Sequence, residues 1–567
     1  MMTIYQDEKK SVNNRLLIII LISFLFWGIA FLSGAQLNSW DGLTHIFFSK
    51  GYADNWWSVW DDRWYGGFNK ASYPPLAHQL VALLIIITGK IELSYSIILW
   101  LFLTIFPLAV YRFSRVFINA DGSLIAAFLS IFLPSIRVMT FVFGQFAGFA
   151  SLTFLLLSIS SYSIFMRQRS LLAGCVSVGW LGCVVASHTN TFFFLAPLLF
   201  VVTGLYLFNV LKISLKQKLV SNLIIISLYL LISAIIILPF WLWFLDYRMQ
   251  TPIMHPSRWN LLSLVGTGIF RLYFLDMYDY LLLAYLVLAI GLFRDRSYLL
   301  LFFCFSIYFL LGLGGSTDLP NIVFGKDWEW LTYERFSVWA SVISLPMIGY
   351  GLQSLQVPSL RFLLKVFVLI SVLNAFIWLF NPSINQMTRQ RMDLSSVYEV
   401  FNSNTQCKNR FLTLGFDYQL PEFSIYTNAR TLDGLWHTAR TDDFLRQSGM
   451  GSLDTALYWG NGENLLREFL ARKDLVPARC IFLNETNLLN AMKYRTILIE
   501  TGWRQEKIDG SLISYWVRSY EILAQENSEP KDGSLNLQIL LWGILPIFNL
   551  CLTIFAEVVR CKVASCE

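Results

Sequence analysis

Asp41 and His45 are the first residues of the chain whose types and spacing could do chemistry. They lie four positions apart in the stretch NSWDGLTHIFFSK, so a helix that begins at Trp40 places both on one face. The carboxylate could accept a proton from an attacking hydroxyl, or it could help to hold a divalent cation, Mg²⁺ or Mn²⁺. The imidazole could bind phosphate or assist proton transfer. The alternatives are that Asp41 only caps its helix and that His45 is simply solvated.

A second set of polar residues lies in loops or where apolar segments begin and end, and its members are candidates for substrate binding. They are Arg63, Tyr73, Gln145, His188, Asn190, Glu334, Arg335, Trp436 and His437. Arginine suits bidentate recognition of a phosphate, and tryptophan suits stacking on a sugar ring. Structural explanations stay open: Glu334 and Arg335 could pair with each other, and His188 could bond to its own helix end. The glycines beside Gln145 could serve helix packing.

The elements that must position these residues are membrane spans. Of the 567 residues 56% are hydrophobic and 14% are charged, which excludes a soluble globular protein and indicates a polytopic membrane protein. The net charge of +6 fits an excess of basic residues in cytoplasmic loops rather than a nucleic-acid partner. An apolar run at 16–33 is long enough to cross a bilayer. No clear signal-peptide cleavage site follows it, so we expect an uncleaved first span.

Short basic clusters between the apolar segments predict the topology. Because basic residues accumulate in cytoplasmic loops, both termini are expected to be cytoplasmic and residues 38–75 form the first outer loop. Apolar segments at 76–88 and 97–110 together make one net crossing, unless the basic cluster that follows them faces outward. The two solutions give 12 or 13 spans. Asp41 and Arg335 both fall at outer ends of spans, and we expect them to line one outward-facing cavity.

The composition becomes polar after the multi-span membrane domain at 1–381. Residues 382–535 are expected to form a separate extracytoplasmic α/β domain, and residues 536–567 a final transmembrane anchor with a short cytoplasmic tail. Within the domain, stretches at 410–416 and 480–484 predict strands and 486–501 predicts a helix. The sequence RQEKIDGSLISYWV, with Asp509 and Gly510 at its turn, predicts a β-hairpin.

Cys407 and Cys480 are the only cysteines of this polar domain. Extracytoplasmic compartments are often oxidising, so we expect the two residues to form a disulfide.

The first outer loop also carries a family resemblance. It combines an acidic residue just after the first span, an aromatic amphipathic segment and the motif Tyr-Pro-Pro-Leu at residues 73–76. The tryptophans of the segment fit a helix that lies in the membrane interface; they are Trp56, Trp57, Trp60 and Trp64. This combination resembles the GT-C superfamily of multi-pass glycosyltransferases. It also resembles the membrane proteins called 6-pyruvoyl-tetrahydropterin synthase-related.

The resemblance implies a GT-C-like, α-helical polytopic membrane protein with a C-terminal α/β domain. In that superfamily the first outer loop supplies a catalytic Asp, which corresponds to Asp41, and the sugar donor is usually attached to a polyprenyl phosphate. The implied partners are such a donor, membrane lipids and a glycan, lipid or protein acceptor. Arg335 and His188 would then bind the donor phosphate. Two other functions stay open: non-catalytic assembly of a polysaccharide or glycolipid, and transport of a lipid or solute.

Overall fold

The computed structural model describes residues 2–211, 250–292, 296–381, 391–472, 478–506, 512–518 and 535–566, together with the isolated helical residues 227, 231, 235 and 238. The described part is mostly helical, and it confirms the prediction of a polytopic helical protein that carries a small C-terminal sheet.

Seven helices in the described ranges are long and apolar enough to span a membrane. They cover Ser11–Leu32, Ile91–Ser114, Ala120–Val142, Phe146–Gln168, Thr191–Val210, Pro358–Phe380 and Trp542–Lys562. A bent pair, Gly268–Tyr278 and Leu281–Gly291, adds an eighth if its two halves form one broken span. Part of the stretch between residues 212 and 249, where another span is expected, lies outside the described residues.

The helices of the membrane part follow one another closely. Their bounds are Met2–Leu32, Gly42–Asp54, Leu76–Thr88, Ile91–Ser114, Ala120–Ser130, Pro134–Arg137, Phe146–Gln168, Leu171–Ser187, Ala196–Leu211, Gly268–Phe270, Asp276–Tyr278, Leu281–Leu292, Arg296–Gly312, Leu319–Phe324, Glu334–Ser354, Pro358–Phe380 and Leu535–Cys566. Phe146–Gln168 is the central helix, since almost all of its residues are buried against neighbouring helices. Ser158 and Thr153 of this helix donate to the backbone carbonyls of Ser177 and Phe149, which satisfies these two hydroxyls inside the bundle.

The apolar segments after the first loop form one short helix and one long helix. Leu76–Thr88 has 13 residues and ends at Gly89, whose φ of 67° is in the left-handed region that favours glycine. At 1.5 Å per residue this helix is about 20 Å long, too short for a bilayer core of about 30 Å. Ile91–Ser114 has 24 residues and can cross alone. By length and composition, only the second helix of the pair can cross a bilayer alone, whereas the choice between 12 and 13 spans stays a prediction.

The first loop folds into a compact aromatic unit rather than an interfacial helix. After the helix Gly42–Asp54, hereafter the loop helix, the chain forms strands β1 (Trp60–Asp61) and β2 (Phe68–Asn69), which pair antiparallel. Trp64 is fully buried and stacks on Phe47 with 3.8 Å between ring centroids. The expectation that the loop tryptophans form a helix in the membrane interface was wrong, because the loop builds its own core.

The C-terminal sheet region spans residues 391–517. Its strands β3 (Phe411–Leu414), β4 (Cys480–Asn484), β5 (Arg504–Glu506) and β6 (Ile513–Val517) lie in the order β3-β4-β6-β5. β3 and β4 are parallel, and the other pairs are antiparallel. Its helices are Ser395–Ser403, Thr405–Asn409, Leu420–Thr427, Asp443–Gln447, Gly462–Ala471 and Leu488–Glu500.

The sheet confirms the strands and the helix that the sequence predicts in this region. The hairpin strands β5 and β6 are confirmed as well, whereas the turn at Asp509 and Gly510 lies outside the described residues. Cys407 and Cys480 are joined by a disulfide, with their Cα atoms 5.2 Å apart, as the cysteine count predicts. This bond ties the helix Thr405–Asn409 to β4.

Candidate active site

Asp41 lies at the point where the first loop is fastened to the membrane bundle. The backbone N–H groups of Trp40 and Asp41 donate to the carbonyls of Val142 (2.9 Å) and Phe143 (3.0 Å), where a span ends. Gly144 makes this close approach possible: a Cβ there would lie 2.9 Å from the Asp41 nitrogen, and its φ is 73°. The glycine beside Gln145 thus serves the approach of the loop backbone.

The Asp41 carboxylate is left open by this arrangement. Asp41 occupies the N-cap position of the loop helix, yet its side chain makes no capping hydrogen bond. The side chain is exposed to solvent, and no described residue forms an ion pair with it. The structural alternative, in which Asp41 serves only as a helix cap, is therefore not what the structure shows.

Arg335 and Glu334 are the charged residues that act on Asp41. The protein packed around the carboxyl removes part of its hydration and raises the pKa of Asp41 to about 6. The Arg335 guanidinium opposes this rise by lowering the pKa, whereas the Glu334 carboxylate adds to it. Asp41 and Arg335 are separated by nearly 300 positions in the sequence, and the fold brings them within electrostatic range of each other.

Arg335 keeps its guanidinium available although Glu334 precedes it in the chain. Glu334 is buried and accepts a hydrogen bond of 2.8 Å from the side-chain amide of Gln145. No ion pair joins Glu334 to Arg335 in the described part of the chain, so the pairing considered from the sequence does not form. Arg335 is partly exposed at the start of the helix Glu334–Ser354 and has no hydrogen-bond partner among the described residues.

His45 is buried beside a second histidine that the sequence did not point to. Its Nδ1 lies 2.9 Å from Nε2 of His78, and the backbone of Gly144 accepts a further hydrogen bond from its ring. Burial lowers the pKa of His45 well below its ordinary value, and His78 lowers it further, so the ring is neutral. The solvated position considered for His45 is therefore wrong. The ring instead packs beside the catalytic candidate Asp41, one helical turn away.

Tyr73 and Trp436 connect this cluster to the C-terminal sheet region. The Tyr73 ring lies 5.9 Å from His45 and 4.5 Å from Trp436, centroid to centroid. Burial raises the pKa of the Tyr73 hydroxyl, Arg335 lowers it and Asp41 raises it, which places Tyr73 near both charged groups. Trp436 is half-buried, and its indole N–H has no hydrogen-bond partner among the described residues. The loop around Trp436 therefore covers the cluster from the side of the sheet.

His188, Asn190 and His437 lie at the edge of the same site. His188 ends the helix Leu171–Ser187, is buried, and interacts electrostatically with Arg335. Its Nδ1 is 3.4 Å from the Thr191 hydroxyl, a longer contact than the His45–His78 bond. Asn190 follows two positions later and is half-buried. Burial lowers the pKa of His437 to about 3, with Arg440 and two residues of the 255–258 turn lowering it further.

Three residues of this site carried no recognisable pattern in the sequence. His78 follows the Tyr-Pro-Pro-Leu motif, and His255 and Tyr273 come from the long loop and broken helix after residue 250. His255 interacts electrostatically with Glu334 and Arg335, and its ring is 6.0 Å from Tyr273. The buried Tyr273 hydroxyl has no hydrogen-bond partner in the described chain. For His78, the sequence offered one signal: a histidine that follows the first outer loop closely, in the first turn of the helix Leu76–Thr88.

Arg63 does not join the Asp41 cluster. Its guanidinium pairs with Asp61 at 2.7 Å, donates to the Phe47 carbonyl at 2.9 Å and lies 3.9 Å above the Phe47 ring. Arg63 therefore holds the first loop together, and it faces a different cavity, described below.

The site offers few protein ligands to a divalent cation. Among the described residues of the site, Asp41 and Oε2 of Glu334 offer carboxylate oxygens without a hydrogen-bond partner, whereas the His45 ring is held by His78 and Gly144. The described ranges contain no group of three or more His, Cys, Asp or Glu side chains placed to hold a metal. Mg²⁺ is usually held by one or two carboxylates together with substrate phosphates and water, so Asp41 would be the protein ligand of such a cation. The positive charge of the site comes from Arg335.

Comparison with known proteins gives structural neighbours only. No protein-family model and no curated protein sequence matches this chain. A crystal structure of the Archaeoglobus fulgidus oligosaccharyltransferase with zinc and sulfate is similar at 13% identity over 88% of this chain and 72% of that chain, with a TM-score of 0.48. The Archaeoglobus fulgidus oligosaccharyltransferase AglB, in complex with an inhibitory peptide and a dolichol-phosphate, is similar at 11% identity over 92% of this chain and 77% of that chain, with a TM-score of 0.49.

TM-scores below 0.5 do not support a functional assignment, so the proposal that follows rests on the site of this chain.

Proposed function

We propose that this chain is a membrane glycosyltransferase that moves a sugar from a polyprenyl-phosphate-linked donor to an acceptor on the extracytoplasmic face. The observation that carries the proposal is that two available groups of opposite charge influence each other in one site. Asp41 offers a carboxylate without a hydrogen-bond partner, and Arg335 offers a guanidinium without an ion-pair partner among the described residues. Such free charged groups at the surface of an apolar bundle indicate a functional site.

The two groups suit the two ends of one displacement. Asp41 accepts the proton of the acceptor nucleophile, whose electron pair forms the new bond to the anomeric carbon of the sugar. The bond from that carbon to the phosphate oxygen breaks, and its electrons leave with the phosphate. Arg335 stabilises the negative charge that develops on this leaving group. His188 lies on the Arg335 side of the site and Trp436 covers it, which suits contacts with the phosphate and the sugar ring.

The neutral histidine pair has a positioning role in this scheme. His45 is bonded to His78 and to the Gly144 backbone, so it has no free nitrogen for a substrate. The pair holds the start of the loop helix against the span end at Gly144, and thereby fixes Asp41.

The test compares turnover with donor binding in the full-length protein in nanodiscs. Asp41→Asn keeps the size of the side chain and removes the base, so we expect turnover to fall by a factor of about 10²–10⁴ while the lipid-linked donor still co-purifies. Arg335→Ala is expected to reduce the amount of co-purifying donor, measured by mass spectrometry. Asp121→Asn is the matched control, because Asp121 is exposed and pairs with Arg15 away from the site.

The result also separates the proposal from its alternatives. A scaffold for polysaccharide assembly predicts that Asp41→Asn leaves glycan production in cells nearly unchanged. A transporter predicts donor translocation without a new glycosidic bond. Either outcome would contradict the proposed transfer reaction.

A further inference from the structure

A polar cavity, separate from the Asp41 site, lies between the first loop and the C-terminal sheet region. Its volume is about 690 Å³, and its lining comes from residues 51–70 on one side and from residues 409–442 on the other. This volume is within the range of about 300–1,000 Å³ that small-molecule sites occupy. None of the residues around Asp41 lines it, so it is separate from the candidate active site.

Direct contacts fix the two walls relative to each other. Arg430 of the sheet region pairs with Asp62 of the first loop at 2.5 Å. The backbone N–H of Thr431 donates to the Arg63 carbonyl at 2.8 Å, and the Thr441 hydroxyl bonds to the Tyr65 carbonyl at 3.3 Å. The cavity is therefore a formed feature of the docked structure.

Most charged side chains of the lining are held in ion pairs. Four acidic and four basic side chains line the cavity; they are Asp54, Asp61, Asp62, Asp442, Arg63, Lys70, Arg410 and Arg430. Arg63 is paired with Asp61 and Arg430 with Asp62, so neither guanidinium carries an unmatched charge for a phosphate. Asp54 and Asp442 pair with Lys50 and Arg472, which lie outside the lining, so all four carboxylates and at least two of the four basic side chains are already matched and a ligand need not supply charge.

The remaining lining offers hydrogen bonds and aromatic surface. Asn55, Asn409 and Asn428 expose their amides at the mouth, and each amide both donates and accepts. Trp60 and Tyr65 add aromatic walls. Sugars need this combination, because a sugar ring packs an apolar face on an aromatic side chain while its hydroxyls need donors and acceptors.

Two buried basic side chains add hydrogen-bond donors to the lining of the cavity. The Arg63 side chain is only 6% exposed, and its Nη1 has no hydrogen-bond partner in the described chain. Lys70 is 2% exposed, and among the described residues its Nζ donates only to the carbonyls of Gly51 (3.3 Å) and Asn55 (2.9 Å). Buried donors that lack a full set of partners are costly unless a ligand or water completes them.

We propose that this cavity binds an uncharged oligosaccharide segment of the acceptor. The proposal rests on the proposed function, because it places the acceptor beside the transfer site. The loop helix connects the two places: Asp41 precedes its first residue, and the cavity begins at Gly51 near its end. The ten positions from Asp41 to Gly51 correspond to about 15 Å of helix, so the cavity holds a part of the acceptor remote from the reacting end.

The experiment measures glycan binding directly and does not require turnover. Full-length protein in nanodiscs is applied to an array of uncharged oligosaccharides of three or more sugars, built from glucose, galactose, mannose and N-acetylglucosamine. We expect binding to at least one of these glycans. Asn409→Trp, which places a large side chain at the exposed mouth, should weaken it at least tenfold. Asn402→Trp is the matched control, since Asn402 is exposed in the same region and does not line the cavity.

The outcomes keep this proposal distinct from the proposed function. Asp41→Asn should abolish turnover and leave glycan binding unchanged, so loss of turnover alone does not affect the cavity assignment. Binding of none of the uncharged glycans would overturn the assignment. Binding that prefers inorganic phosphate or anionic glycans, or that Asn409→Trp does not change, would overturn it as well.

Discussion

Replacing Arg335 by glutamine is expected to move the acid limb of the pH–rate profile of the transfer reaction. Asp41 must be ionised to accept a proton, so kcat/KM should fall below a pH near its pKa of about 6. Arg335 lowers this pKa, and Arg335→Gln removes that cation while it keeps a polar side chain of similar length. The pKa of Asp41 should therefore rise, and the limb should move to higher pH.

The size of the shift follows from the geometry of the pair. An opposite charge within about 4–6 Å typically lowers a carboxyl pKa by about 1–3. Arg335 acts on Asp41 without forming an ion pair, so the lower end of this range applies and the limb should move by about one pH unit. A shift from about 6 to about 7 lowers the ionised fraction of Asp41 at pH 6 from about one half to about one tenth.

The assay is the dependence of kcat/KM on pH from 5 to 9, which reports the free enzyme. Loss of a phosphate contact lowers kcat/KM at every pH, whereas the change at Asp41 moves the limb; the full profile separates the two effects. Glu334→Gln is the matched variant for which the opposite shift is expected, because Glu334 raises the pKa of Asp41. Its limb should move to lower pH. Arg271→Gln is the control, since Arg271 is exposed and interacts with Asp276.

A limb that stays at the same pH in both Arg335→Gln and Glu334→Gln would refute the assignment of the limb to Asp41. An acid limb that persists in the residual activity of the Asp41→Asn variant would independently refute this assignment.

Three further predictions concern the architecture. Leu489→Cys, at a position that is 77% exposed in the sheet region, should react with an impermeant thiol reagent in intact cells if this region is extracytoplasmic; protection would reverse the proposed topology. Cys407→Ser should lower the free energy of unfolding by about 2–4 kcal/mol, because its bond to Cys480 closes a loop of 73 residues; thermal melting that is equal with and without reductant would contradict this. Gln145→Ala should cost about 1–3 kcal/mol of stability, since it removes the hydrogen-bond donor of the buried Glu334, whereas Gln145→Glu should cost more by setting two carboxylates together.

The sequence was sufficient to predict those site residues whose position follows from the order of apolar segments and basic clusters. Asp41 and Arg335 both fall at ends of apolar segments that the basic clusters assign to one side, and Arg335 acts electrostatically on Asp41, whereas their shared outward-facing cavity stays a prediction. The strands of the sheet region were equally accessible, because short apolar runs with β-branched and aromatic residues stand out in a polar context.

What the sequence could not predict depends on contacts between distant segments. Trp64 has an aromatic neighbourhood in the sequence that is typical of the membrane interface, and only the tertiary stacking on Phe47 shows that it is core. His78 became part of the site because the loop helix packs on Leu76–Thr88, a pairing that no local pattern encodes. The partner of Glu334 is Gln145 rather than the adjacent Arg335, since neighbouring residues on a helix point in different directions.

The residues around the first loop can complete their hydrogen bonds only after the helix Leu535–Cys566 has been synthesised. Trp56 donates its indole N–H to the carbonyl of Gly543 at 3.0 Å, and Gln79 donates to that of Trp542 at 2.8 Å. The Trp56 and Gly543 positions are 487 residues apart, which at a synthesis rate of about 5–20 residues per second corresponds to about 25–100 s of translation. During that interval the nascent loop presents Trp56 and the Gln79 amide without their partners. A membrane chaperone or the insertion machinery would have its longest opportunity to hold the nascent chain at this surface.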